Sequence, residues 1–122
     1  MQVTPKKILV AESDEIVLVL LSHVLARQSF VVRTTLDALE AEKLLDDDVY
    51  DLVLVDVKLP GGVALLRAIA ERHPTLARRV IVTTPDAGID LTELPVYAVV
   101  RKPVELDSFL ETVRDCLERS HN

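Results

Sequence analysis

Polar residues of four kinds stand at the ends of apolar runs, and together they suit one chemistry. Glu12, Ser13 and Asp14 follow Ile8-Leu9-Val10-Ala11. Asp56 follows Leu52-Val53-Leu54-Val55, and the turn-formers Pro60, Gly61 and Gly62 come soon after it. Thr83 and Thr84 follow Val80-Ile81-Val82, while Arg101, Lys102 and Pro103 close the run that begins at Val96. Polar residues at such places are ordinary, because loops face water. Acids after two runs, with hydroxyls and an amine after two others, are less so. The set fits phosphoryl transfer to a carboxylate, with Asp56 as the nucleophile that forms an acyl phosphate. That reaction is helped mainly by positioning and by offsetting the charge on the phosphoryl oxygens. Lys102 offers a fixed positive charge and Thr84 a hydroxyl donor. A hard divalent ion such as Mg²⁺, held by one or two carboxylates and a phosphoryl oxygen, would offset part of the phosphoryl charge.

The elements that must position these groups follow from the apolar pattern. Runs of strand length alternate with segments of helical period. Strands are expected at Lys7–Ala11, Val31–Thr34, Leu52–Val55, Val80–Val82 and Val96–Val100. Helices are expected at Asp14–Gln28, with Val17, Leu20, Leu21, Val24 and Leu25 inward, and at Asp37–Leu45, with the acids 46–48 as a solvated loop. Further helices are expected at Ala64–Arg72, stopped by His73-Pro74, and at Glu105–Arg119, whose Leu106, Phe109, Leu110, Val113 and Leu117 form one buried stripe. Strands apolar along their whole length and separated by helices predict a parallel sheet covered on both faces, an α/β three-layer sandwich. The stretch 84–95, with two prolines and a glycine, predicts a fourth helix that is short or absent. In such sheets ligands bind outside the carboxyl ends of the strands, where the acids, Thr84 and Lys102 gather.

The bulk composition agrees with one compact domain over residues 1–122. The chain is 49% apolar but only 3% aromatic, so aliphatic side chains must fill its core. A net charge of −6 without a basic block argues against direct nucleic-acid binding. The apolar run before Glu12 is too short for a signal peptide, and Ile16–Leu21 is too short for a membrane span, so a soluble cytoplasmic protein is expected. A lone cysteine, Cys116, makes no internal disulfide and reads as a small apolar residue of the last helix. His23, His73 and His121 lack metal-ligand spacing and read as surface residues. No G-x-G-x-x-G or other phosphate-cradling glycine loop points to a small enzyme or cofactor binder.

The motifs KILVAESDE (7–15), DLVLVDVKLPGG (51–62), VIVTT (80–84) and VVRKPV (99–104) resemble, in order and spacing, the receiver domain of bacterial two-component response regulators. The resemblance covers essentially the whole chain. It implies a flavodoxin-like (βα)5 sandwich with a five-stranded parallel sheet of order 2-1-3-4-5. It also implies a non-enzymatic phosphorelay role. Asp56 is then the phosphoacceptor, Thr84 the switch hydroxyl, Lys102 the family's lysine and Pro103 a cis-proline. Mg²⁺ would be held by Glu12, Asp56 and the backbone carbonyl of Lys58. The implied partners are a histidine kinase or phosphotransfer protein and an unidentified downstream protein, with the chain acting as a stand-alone monomer or weak homodimer.

Several positions depart from the family's pattern. Ser13 stands where a second acid normally touches the metal, which weakens the expected Mg²⁺ site. Asp14, one residue on, is open to two readings, a compensating ligand or a helix N-cap. Val99 replaces the switch aromatic, and Tyr97 is the nearest ring. Pro85 follows Thr84 where a small residue is usual, and the loop after Asp56 is short. Lys58 is either a solvated loop lysine or a cation that reaches the phosphoryl group, Asp56 or Glu12. Ile16 and Val19 lie off the buried stripe of the first helix and suggest a docking patch, with self-association or a tolerated apolar surface as the alternatives. The departures also leave a second function open, a pseudo-receiver that binds its partner without phosphorylation.

Overall fold

The computed structural model describes residues 4–86, 88 and 90–119. His121 lies outside the described residues. Five strands, β1 (Lys7–Ala11), β2 (Val31–Thr35), β3 (Leu52–Asp56), β4 (Val80–Thr84) and β5 (Ala98–Arg101), form one parallel sheet of order β2-β1-β3-β4-β5. The helices are α1 (Glu15–Arg27), α2 (Ala38–Asp47), α3 (Gly62–Arg72), α4 (Pro74–Ala77) and α5 (Leu106–Arg119). This is the three-layer order expected, with α1 and α5 on one face and α2 and α3 on the other.

Burial follows position in the sheet. The central β3 and its neighbour β4 are buried at every residue, whereas the edge strands β2 and β5 are half-exposed. Alternation along β1 and β3 splits the core in two. Leu9, Val53 and Val55 pack under α2 and α3, while Ile8, Leu52 and Leu54 pack under α1 and α5. In α5, Phe109, Leu110, Val113 and Leu117 are buried as the stripe predicted, joined by Cys116, whereas Leu106 is only partly buried. Burial pushes the Cys116 thiol up to about 11, so it behaves as a small core residue.

Four local expectations are corrected. In α1 the buried residues are Leu18, Leu21 and Leu25, and Leu20 is exposed. Because Ile16–Leu21 is apolar throughout, several helical phases bury similar area, and contacts with the sheet select among them. The helix α2 runs on through Asp47, its late acids offset by Arg72 on Asp46 and Lys7 on Asp48. His73-Pro74 ends α3 but also starts α4, because Pro suits a first helical position, where its missing N–H costs nothing. Asp56, Thr83 and Thr84 lie within strands rather than beyond them. Between β4 and β5 no helix occurs among the described residues. Asp86 and Asp90 instead accept from the backbone N–H two residues on, forming tight turns.

Candidate functional site

The register of the sheet brings the acids together. Ala11 pairs with Val55, so the next residues, Glu12 and Asp56, emerge side by side at the carboxyl ends of β1 and β3. Lys102, just past β5, reaches over the end of β4 to both of them. Its Nζ lies 2.8 Å from Glu12 Oε1 and 3.3 Å from Asp56 Oδ2. The peptide that follows, Lys102–Pro103, is cis, as the resemblance implied. The Lys102 backbone N–H donates to the Thr84 carbonyl at 2.8 Å, which fixes the root of the side chain on β4.

Both oxygens of Asp56 are taken. Oδ1 accepts from the Lys58 N–H at 3.0 Å. Oδ2 accepts from the Ser13 N–H at 3.1 Å, from the Ser13 hydroxyl and from Lys102. The loop behind Asp56 is tight. Leu59 N–H donates to the Asp56 carbonyl at 3.0 Å, and Gly61 at φ +79° turns the chain into α3. A Cβ on Gly62 would lie 2.8 Å from the Asp56 carbonyl oxygen, so only glycine lets α3 start this close to the strand.

Asp56 has no exposed surface, and Glu12 is 1% exposed. The turn at 57–62 therefore does not leave this carboxylate open to solvent. Lys102 and Ser13 cover it. Burial disfavours the Asp56 anion, but the Ser13 hydroxyl, the Lys58 N–H, Glu12 and the Ser13 N–H together hold its carboxyl down at about 2. For Glu12 burial prevails over its bonds to Lys102 and the Asp14 N–H, and its carboxyl is raised. Burial also disfavours the Lys102 ammonium, yet Glu12 and Asp56 more than offset this and its pKa is raised. Asp56 is thus the firmly ionised acid and Glu12 the one that protonates more readily.

Other predicted residues fall elsewhere. The buried Thr84 hydroxyl accepts from the Asp86 N–H at 3.0 Å and donates to the Asp86 carbonyl at 3.2 Å, with no bond to Asp56. Asp14 is the N-cap of α1, accepting from the Ile16 and Val17 N–H groups at 2.9 and 3.3 Å. The Lys58 side chain is exposed. Val99 is exposed, and Tyr97 packs on the α5 side, with its hydroxyl donating to Asp115. His23 is exposed and His73 approaches Asp46 at 3.3 Å. Ile16 and Val19 are 81% and 62% exposed.

Two site residues were missed in the sequence. Ser13 registers there only as a lost acid, although a hydroxyl beside a buried carboxylate is a ready donor. Thr83 pairs with Asp56 across β3 and β4, and its buried hydroxyl has no hydrogen-bond partner among the described residues. The alternation of strand faces, which puts paired residues on one side, was the signal for it.

The response regulator receiver domain family matches residues 8–114 of the chain. The chain belongs to this family. The receiver domain is similar to the hydrogenase transcriptional regulatory protein HoxA of Bradyrhizobium diazoefficiens, 30% identical over 75% of this chain and 20% of that protein. It is also similar to the response regulator protein PilR of Pseudomonas aeruginosa, 28% identical over 92% of this chain and 26% of that one. It therefore spans about a fifth to a quarter of the length of these relatives. Among solved structures it resembles the signal receiver domain of an HD domain-containing protein from Pseudomonas fluorescens, with TM-score 0.86, 28% identity and coverage of 97% and 98% of the two chains. A receiver domain protein from Methanospirillum hungatei, at TM-score 0.90 and 23% identity, shares the fold. Receiver domains serve two-component signalling and interact with histidine kinases or phosphotransfer proteins.

Receiver domains generally bind Mg²⁺ at the phosphorylation site. The residues of this receiver domain do not fit a divalent ion as they are arranged. The Lys102 ammonium fills the gap between the two carboxylates, Ser13 turns hydrogens toward Asp56, and Asp14 is committed to α1. Among the described residues no cluster of three His, Cys, Asp or Glu side chains could hold a metal.

Proposed function

We propose that this receiver domain accepts a phosphoryl group on Asp56 from a histidine kinase or phosphotransfer protein, and that the modified site signals through altered protein contacts. The observation that carries the reading is a carboxylate held ionised at the end of the central strand with the Lys102 ammonium 3.3 Å away. In the transfer, an Asp56 oxygen forms a bond to phosphorus as the bond from phosphorus to the donor's imidazole nitrogen breaks. The imidazole leaves as a neutral ring, because its second nitrogen already carries a proton. Lys102 offsets charge on the phosphoryl oxygens, and Thr84 is the hydroxyl that turns toward them once it leaves Asp86. Since Asp56 is covered, transfer begins with Lys102, whose side chain is 18% exposed, swinging aside.

The exposed Ile16 and Val19, in the first turns of α1 beside the acid edge, form the surface that receives the phosphodonor protein. The family match lends no support to the second reading, a phosphorylation-independent binding module.

Intact-mass measurement after incubation with a small phosphodonor, with and without Mg²⁺, tests the reading. The native chain gains one phosphoryl group and Asp56→Asn gains none. No adduct from several donors, or an adduct that persists in Asp56→Asn, overturns it.

A further inference from the structure

The donors gathered on Asp56 make up a complete set of positive partners without an ion. Oδ2 faces the Ser13 N–H, the Ser13 hydroxyl and the Lys102 ammonium, and Oδ1 faces the Lys58 N–H. The same ammonium touches both oxygens of Glu12, at 2.8 and 2.9 Å. We infer that Ser13 and Lys102 together take the place of the divalent cation at this site, so that the receiver domain binds Mg²⁺ negligibly and Ser13 is the residue that decides this.

Three features argue for it. Mg²⁺ demands close, nearly octahedral oxygen ligands, at about 2.0–2.1 Å. Ser13 offers only a neutral oxygen where a second carboxylate would stand, and an ion bound at Asp56 Oδ2 would compete with the charge-assisted bond from the Ser13 hydroxyl. Charge points the same way. Glu12 and Asp56 carry two negative charges and Lys102 one positive, and the nearby third acid, Asp14, spends its carboxylate on the first turn of α1. An ion would meet a site of net charge −1 with an ammonium already in contact with both acids, and like charges at that range repel strongly. Ser13 also holds Asp56 in position. Its main-chain and side-chain hydrogens converge on one oxygen and fix the plane of the carboxylate, the orienting task a metal would otherwise perform. In this respect it is a positioning residue.

This inference concerns metal binding directly; only its consequence, transfer without Mg²⁺, rests on Asp56 being the phosphoacceptor. The test is titration of the full chain with Mn²⁺ followed by electron paramagnetic resonance, with Mg²⁺ as competitor. The native protein and Asp56→Asn should leave the same free Mn²⁺ signal through the millimolar range. Ser13→Asp should bind roughly tenfold more tightly or better, and Ser13→Asp with Asp56→Asn should lose that gain. Native protein that depletes Mn²⁺ as strongly as Ser13→Asp, through a site lost in Asp56→Asn, overturns the inference. So does Ser13→Asp that binds no better than native protein, since Ser13 is then not the determinant. Circular dichroism checks the fold, and Ser13→Asn, which supplies a neutral carbonyl ligand, takes the place of Ser13→Asp if the latter unfolds. In a second measurement, phosphoryl uptake by the native chain should be unchanged by a chelator, while that of Ser13→Asp should fall. Chelator-sensitive uptake by the native chain counts against the inference. Failure of every protein to take up phosphate sinks the phosphoacceptor reading and leaves the Mn²⁺ titration to decide this one.

Discussion

At the scale of single residues, Asp56 and Glu12 share one ammonium yet are pushed in opposite directions. Asp56 is held near 2, below the ordinary value of 3.8, by the Ser13, Lys58 and Glu12 contacts that overcome its burial. Its contribution to stability is therefore complete above the unfolded value of about 3.9 and is lost as pH falls through about 2. Glu12 is raised above 4.5 by burial, so its ionisation works against folding at neutral pH, and protonating it relieves that cost. A carbon-13 NMR titration of the side-chain carboxyls should show Glu12 taking up its proton first and Asp56 remaining ionised down to about pH 2. An Asp56 midpoint at or above its ordinary value would contradict this geometry. The identities of Glu12, Asp56 and Lys102 as neighbours were legible from their places after apolar runs. Their burial was not, because coverage of Asp56 depends on where two side chains from distant segments come to rest. Nor was the engagement of Thr84 with Asp86, a turn contact that competes locally with any bond toward the site.

At the scale of elements, the short link from β3 to α3 is the tightest part of the site. Gly62 begins α3 directly against the Asp56 carbonyl oxygen, where a Cβ would intrude to 2.8 Å. Gly62→Ala should destabilise the domain by about 1–3 kcal/mol, the usual cost of overpacking, read as a lower denaturant midpoint. It should also shift the Asp56 carboxyl resonance, because the strand end must move. A midpoint equal to the native one would mean that the link yields more easily than this close approach implies. Elements with one clear apolar stripe were legible, α5 most of all, since its polar positions leave a single face to bury. The phase of α1 was not. Six consecutive apolar residues give the helix no preferred face, and packing on the sheet chose Leu18 over Leu20. The ends of β3 and β4 were set one or two residues short, because ladder pairing carries Asp56, Thr83 and Thr84 on past the last apolar side chain.

At the scale of the whole molecule, the strand order explains the reach of the site. With β1 beside β3, the two acids come from neighbouring strands, whereas β4 separates β3 from β5. Only a long side chain such as Lys102 spans that gap. A hollow of about 520 Å³ lined by residues including Asp46, Tyr50 and Arg72 lies at the other end of the sheet, away from this chemistry. No helix among the described residues is long and apolar enough to cross a membrane. The exposed stretch of α1 beside the acids predicts an effect on encounter rather than on folding. Replacing Ile16 and Val19 with Ser should slow phosphoryl transfer from a phosphorylated histidine-containing protein several-fold, while uptake from a small donor and the thermal midpoint stay unchanged. Equal slowing with both donors would move the defect from docking to the site itself.

The lysine that closes the cluster is contributed 46 residues after Asp56 and 90 after Glu12. As the chain leaves the ribosome, the two acids can be paired in the sheet long before their shared cation exists. The half-made domain then carries two neighbouring carboxylates with no ammonium between them, and one must keep its proton or stay wet. Insertion of β5 is therefore the event that makes the carboxylate cluster electrically whole, and a nascent chain stalled before Lys102 should hold its acids open to water.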